Sequence, residues 1–208
     1  MRNQFQFRFT LVSLLASSVL LSSCATAPQL NPQAAFMANL RAMCGKAFEG
    51  KMVTSDERDR DIGTQRLVMH VRTCTQDEIR VPFHVGDNRS RTWVLTQTET
   101  GLRLKHDHRH EDGSEDVSTQ YGGDTATIGT SIRQEFPVDA YSKALFLRTG
   151  SPNSVTNVWA IEILPGQTYM YEVRRANRHF RVEFDLTKPI TPPPPPWGSE
   201  IQATIKGS

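Results

Sequence analysis

Two hydrophobic periods follow one another along the chain. Phe36, Leu40 and Met43 recur at i, i+4 and i+7, with Ala34, Ala35, Ala38 and Ala42 among them. That spacing predicts a short helix stopping near Gly45, because glycine readily takes the left-handed turn that ends a helix. From Lys46 onward the period falls to two. Leu67, Met69, Val71 and Thr73 alternate with Val68, His70 and Arg72, and Ile79, Val81, Phe83 and Val85 alternate with Arg80, Pro82 and His84. Such alternation predicts half-buried strands, and Pro82, which has no N–H to give to a neighbour, predicts an edge or a bulge in the second. Further strands are expected near 46–54, 91–98, 101–110, 126–135, 156–163, 168–175 and 179–186, separated by turn residues such as Gly86-Asp87-Asn88, Glu99-Thr100-Gly101, Pro165-Gly166 and Ala176-Asn177. A second short helix is expected over Asp139 to Leu147, where Asp139 can cap and Tyr141, Ala144 and Leu145 share a side.

About nine strands joined mostly by short turns make the chain mainly β, an antiparallel up-and-down β-barrel or a strongly curved sheet, with an immunoglobulin-like sandwich as the alternative. The initial helix, the following Ala47-Phe48-Glu49-Gly50 and the strand meander resemble the architecture of lipocalin-like (calycin) barrels. A barrel of this kind can hold a small or lipidic ligand among apolar walls, for which Trp93, Leu95, Trp159, Tyr169, Phe180 and Phe184 are the candidate lining residues.

The start of the chain carries Arg2 and Arg8, no acid, and then the apolar run Phe9 to Leu21, a basic segment and hydrophobic core of the kind that directs export. This run is too short to span a bilayer with comfort, and no later segment approaches it. Leu21-Ser22-Ser23-Cys24 follows, and these residues resemble the lipobox of bacterial lipoproteins. The resemblance implies cleavage before Cys24, acylation of that residue and a stable lipid anchor, because each buried CH₂ adds about 0.8 kcal/mol. In lipoproteins of enteric-type bacteria an Asp after the cysteine favours inner-membrane retention, so with Ala25 at that place the resemblance implies the outer membrane, facing the periplasm. An ordinary secretory leader cut at Ala25-Thr26-Ala27 is the other reading. The expected organisation is thus a signal peptide over 1–23, a lipidated tether over 24–32, one β-rich domain over 33–190 and a proline-rich tail over 191–208.

Setting Cys24 aside leaves Cys44 and Cys74, a pair suited to one disulfide in an exported protein; free thiols or a metal pair with histidine are the alternatives. Charge narrows the partners. The chain holds 24 basic and 22 acidic residues, and removing the leader's Arg2 and Arg8 leaves 22 against 22, so general attraction to nucleic acid is not supported. The tail carries Pro192 to Pro196 and then Trp197, a polyproline II segment that either lies along the barrel or offers itself to an envelope protein that reads prolines.

Three of the six histidines fall in Lys105-His106-Asp107-His108-Arg109-His110. On one strand Leu102, Leu104, His106, His108 and His110 share a face, while Arg103, Lys105, Asp107 and Arg109 share the wet one. The imidazoles therefore extend an apolar stripe towards a barrel mouth or interior. Satisfied hydrogen bonds, a transition-metal or haem site, and acid–base or ligand-orienting work are the three readings; no cofactor is required by the sequence. Glu111 to Asp116 reads as a solvated hairpin tip rather than an EF-hand loop, and Tyr121-Gly122-Gly123-Asp124 allows close packing without making a phosphate loop. No Gly-x-Ser-x-Gly, His-Glu-x-x-His or dinucleotide fingerprint is present, so an enzyme would need an arrangement outside those patterns. A ligand-binding barrel, an interaction lipoprotein without ligand, and a metal-binding or metal-dependent protein are the function classes left standing.

Overall fold

The structure, a computed structural model, describes Met1 and residues 31–199. The expected leader, the lipobox with Cys24, the tether through Leu30 and the last residues of the tail lie outside the described residues. Helix α1 spans Pro32–Arg41, and the strands are β1 Ala47–Met52, β2 Leu67–His70, β3 Thr73–Cys74, β4 Glu78–Val85, β5 Asn88–Thr98 and β6 Gly101–His108. Then come β7 Tyr121–Asp124, β8 Arg133–Pro137, helix α3 Ala140–Arg148, β9 Val158–Leu164, β10 Thr168–Arg175 and β11 Arg178–Ile190. A 3-10 turn and short helix α2, Glu57–Asp59 and Arg60–Gly63, link β1 to β2, and a second 3-10 turn, Pro152–Thr156, precedes β9.

All strand pairs are antiparallel in one 11-stranded sheet of order β7-β6-β5-β4-β2-β1-β11-β10-β9-β8, with β3 on β4. Its two ends nearly meet. The Asp139 amide donates to the Gly122 carbonyl at 3.0 Å. A Cβ on Gly123 would sit 1.8 Å from the Pro137 carbonyl oxygen, and one on Gly122 would sit 1.9 Å from that of Leu104. The two glycines thus let β7 wedge between its neighbours, where any side chain would hold the backbones apart. The result is a nearly closed barrel, which removes most of the exposed strand edge and excludes the sandwich.

Inward positions repeat at period two from strand to strand. Trp93 stands opposite His106 and Val81, Tyr171 opposite Ile161 and Val182, and Phe136 opposite Trp159. Helix α1 plugs one end. Asn31 caps it through Gln33 and Ala34, and Phe36 and Leu40 are fully buried against the core. Gln33 holds Thr125 at 2.9 Å, Asn39 holds the Ser131 carbonyl, and Arg41 reaches the carbonyls of Thr75 and Gln76. Cys44 and Cys74 are joined in a disulfide that ties the helix end to β3.

Several expectations shift. The strand expected near 126–135 begins only at Arg133, and Tyr121–Asp124, read as a close-packing turn, is a strand in its own right. Its glycines hide the alternation that marks a strand in sequence. Pro82 lies inside the sheet, opposite the break between β2 and β3, with a register shift just beyond it between Phe83 and Val85. Its missing N–H falls where no partner is required. The tail does lie along the barrel: the Trp197 amide donates to the Arg89 carbonyl at 3.1 Å, and Arg89 donates to that of Pro195 at 2.9 Å. Pro193, Pro194 and Trp197 cover a crevice shared with Val68 and His84, which explains two outward-facing residues that are each only 3% exposed.

Candidate ligand pocket

The end opposite α1 is open. It is where β5, β7, β9 and β11 begin and β4, β6 and β10 end. A cavity of about 400 Å³ opens there among the inward side chains of these strands. Its walls are aromatic: Trp93, Tyr171 and Phe180 on one side, Tyr121, Phe146 and Trp159 on the other. The rings order one another, with Trp93 stacked on Tyr171 at 4.2 Å and on Phe83 at 4.8 Å, and Tyr121 packed on Phe146 at 5.3 Å. Phe146 comes from α3, which Asp139 caps by accepting the Ser142 amide. The Ser142 hydroxyl in turn receives the Gly122 amide at 2.7 Å, so the seam of the barrel and one wall of the cavity are built together.

The histidine strand divides. His106 is buried beneath the cavity, with Nδ1 3.1 Å from the Tyr121 carbonyl and Nε2 2.7 Å from the Tyr171 hydroxyl. A carbonyl only accepts, so Nδ1 carries the proton and Nε2 accepts from Tyr171. Both nitrogens are engaged. Burial first, then the nearby His108, lowers the His106 pKa to about 3, so the ring is neutral at ordinary pH. His108 lines the cavity with Nε2 3.2 Å from the Tyr121 hydroxyl, and burial together with Arg91 lowers its pKa to about 4. His110 lies past the end of β6 and is largely exposed near Asp116. The three rings are therefore not brought to one point, and among the described residues no group of three His, Cys, Asp or Glu side chains is placed to hold a metal ion. On the opposite face Asp107 is not wet as expected. It is 3% exposed, between Arg80 and Arg109.

Of the other residues expected to meet a ligand, Trp93 and Trp159 line the cavity. Leu95 and Tyr169 are fully buried and belong to the packed interior instead, where burial drives the Tyr169 hydroxyl well above its usual range. Sequence reasoning missed the rim. Arg91, Arg175, Arg178, Asn157 and Asp59 lie around the opening, together with Ile62 from α2 and Ser151 and Ser154 from the turn before β9. Arg178 is committed to Asp59 through both of its terminal nitrogens. Arg175 donates to the Asn157 side-chain oxygen at 2.9 Å, and Arg91 to that of Asn88 at 3.1 Å. The only available signal was register: Arg91 continues the inward face of Trp93 and Leu95, and Arg175 that of Tyr171 and Val173.

In comparison with known proteins, no family model, curated protein or solved structure matches the chain. Function must therefore be argued from the site.

Proposed function

We propose that this chain is an envelope-anchored binding protein that takes up a small apolar ligand at the mouth of its barrel. The observation that carries the reading is the aromatic-walled cavity of about 400 Å³ with a few polar groups at its rim. Pockets for small molecules commonly have such volumes, apolar walls and sparse polar contacts. The Tyr121 and Tyr171 hydroxyls are engaged by His108 and His106, so an apolar body can cover these two groups without stranding them. The anchor in this proposal is lipid on Cys24, on the outer membrane and facing the periplasm. Asn31 and α1 stand at the plugged end, with Gln33 on Thr125 beyond β7, so a tether entering there leaves the mouth on the far side of the barrel.

Two measurements test the proposal. A neutral apolar fluorophore such as N-phenylnaphthylamine is expected to brighten with wild-type protein. It should fail to do so with Val173→Trp, which fills the cavity from a half-buried wall position without opening a void. Absence of uptake by the wild type, or equal uptake by a folded Val173→Trp, would refute the ligand reading. Labelled fatty acid should mark the wild type and send it to the membrane fraction, and Cys24→Ser should do neither; labelling that persists in the mutant would remove the anchor.

A further inference from the structure

The rim of the cavity carries positive charge that no acid among the described residues fully pairs with. Of the three arginines that line it, Arg178 is balanced by Asp59, whose two oxygens both receive its guanidinium. Asp56 is held by Arg58 at 2.5 Å and stands 3.3 Å from Arg178, so it too is occupied. Among the described residues the side chains of Arg91 and Arg175 have only the neutral amides of Asn88 and Asn157 as hydrogen-bond partners, and neither forms an ion pair. A guanidinium has five N–H donors, so each retains several to offer. Asp116 accepts the Ser118 amide at 2.7 Å and does not line the cavity. Arg175 is pushed down by burial and then by Arg178 and Arg58, with Asp56 and Asp59 acting the other way more weakly, and Arg91 makes protonation of His108 less favourable.

We infer that the ligand of this pocket is an amphiphilic anion, with an apolar body among the aromatic walls and a carboxylate-like head held at the rim by Arg91 and Arg175. This rests on the ligand-binding reading above and specifies its chemistry. Two half-buried cations at one opening, neither with an ion pair among the described residues, are poorly hydrated there, and an anionic head group relieves that cost. Arg–carboxylate bonds can be bidentate, so they would also fix the orientation of the head. The partners Asn88 and Asn157 are suited to holding each arginine in place because they orient it without cancelling its charge. Asn157 is itself 7% exposed and receives the Val138 amide on the backbone side, so the Arg175 support is rigid.

The test is a matched pair of ligands of equal apolar length, decanoate and decanol, titrated by calorimetry below their aggregation limits. The proteins are the wild type and Arg91→Gln with Arg175→Gln. Decanoate is expected to bind at least tenfold more tightly than decanol to the wild type, and this preference should shrink with added salt. In the double variant decanoate should fall to the level of decanol while decanol is unchanged. Equal affinity in the wild type, or a preference that survives the double variant, overturns the anion proposal and leaves the pocket intact. If neither compound binds, the anion proposal also fails, and fluorophore uptake by the same sample decides whether the ligand reading falls with it.

Discussion

The two ends of the barrel are built from the same strands, yet one is core and the other is a site. Towards the plugged end the inward side chains are mainly aliphatic, Ile79, Leu95, Leu104 and Ile163 among them, each essentially without exposure, with Phe48 and Tyr169 packed between them, and α1 adds Phe36 and Leu40 from outside the sheet. At the open end the corresponding positions carry Trp93, His106, Tyr121, Trp159 and Tyr171, and α3 meets them from the rim with Phe146 rather than across the opening. Large flat rings held stacked or tilted on one another cannot fill space as interlocking aliphatic chains do, so a cavity remains between them. The helix that reaches over its end closes the barrel; the helix that lies on the seam does not.

Replacing one phenylalanine at each end separates filled from hollow. Phe36→Ala should lower the unfolding free energy by about 3–5 kcal/mol, because it leaves a void sealed inside the plug. The same change at Phe146, which lines the cavity, should cost only about 1–2 kcal/mol, since it widens a space that water can already enter. Urea unfolding of both variants checks this, and equal losses would mean that the mouth is packed as tightly as the plug.

The Cys44–Cys74 link acts at the plugged end only. Closing a loop of this length stabilises by about 3–4 kcal/mol in the chain-entropy model. Cys44→Ser with Cys74→Ser should therefore lower the midpoint of unfolding clearly while fluorophore uptake by the still-folded protein stays unchanged. A loss of uptake in the folded variant would couple the two ends.

Acid should act chiefly through buried histidines. His106 is held to about 3 and His84 and His108 to about 4, all below the ordinary value of 6.5, so each stays neutral in the fold and takes up a proton more readily when unfolded. Stability is then complete above pH 6.5 and is lost as pH falls towards those lower values. Glu172 behaves differently. Burial alone would raise it, but hydrogen bonds from Arg133, His179 and Arg174 outweigh burial and hold it at about 2, so its contribution is lost only below 4.5. Between pH 6.5 and 4.5 the decline should belong to histidine. His106→Gln should remove a share of it on the order of 2 kcal/mol, read from unfolding at a series of pH values. An unchanged slope would count against the neutral, doubly bonded His106.

The smallest effect on stability should be at the rim. Arg175→Gln and Arg91→Gln, half-buried and without ion pairs among the described residues, should shift unfolding by less than about 0.5 kcal/mol each. A larger loss would make these arginines structural rather than ligand-directed.

Period-two alternation through β2, β4, β5, β6 and β9 to β11 was enough to establish a β meander and its inward faces, and the i, i+4, i+7 spacing of Phe36, Leu40 and Met43 the helix at its start, because burial on one side of an element writes itself into local sequence. The Cys44–Cys74 pairing was legible because an even pair remained once Cys24 was assigned elsewhere. The stripe from Leu102 to His108 was likewise readable as inward-facing. Tertiary structure alone decided the rest. Whether β7 and β8 approach depends on two glycines whose role is visible only against the backbones they touch. Whether His106 is a ligand or a satisfied core residue depends on Tyr171, 65 positions away. The same holds for Asp59 and Arg178, 119 positions apart, whose pairing leaves Arg91 and Arg175 as the rim arginines without an ion pair among the described residues. Local sequence records which face of a strand is buried; it carries no record of which distant side chain completes a charge, so the site could be read only after the chain had closed on itself.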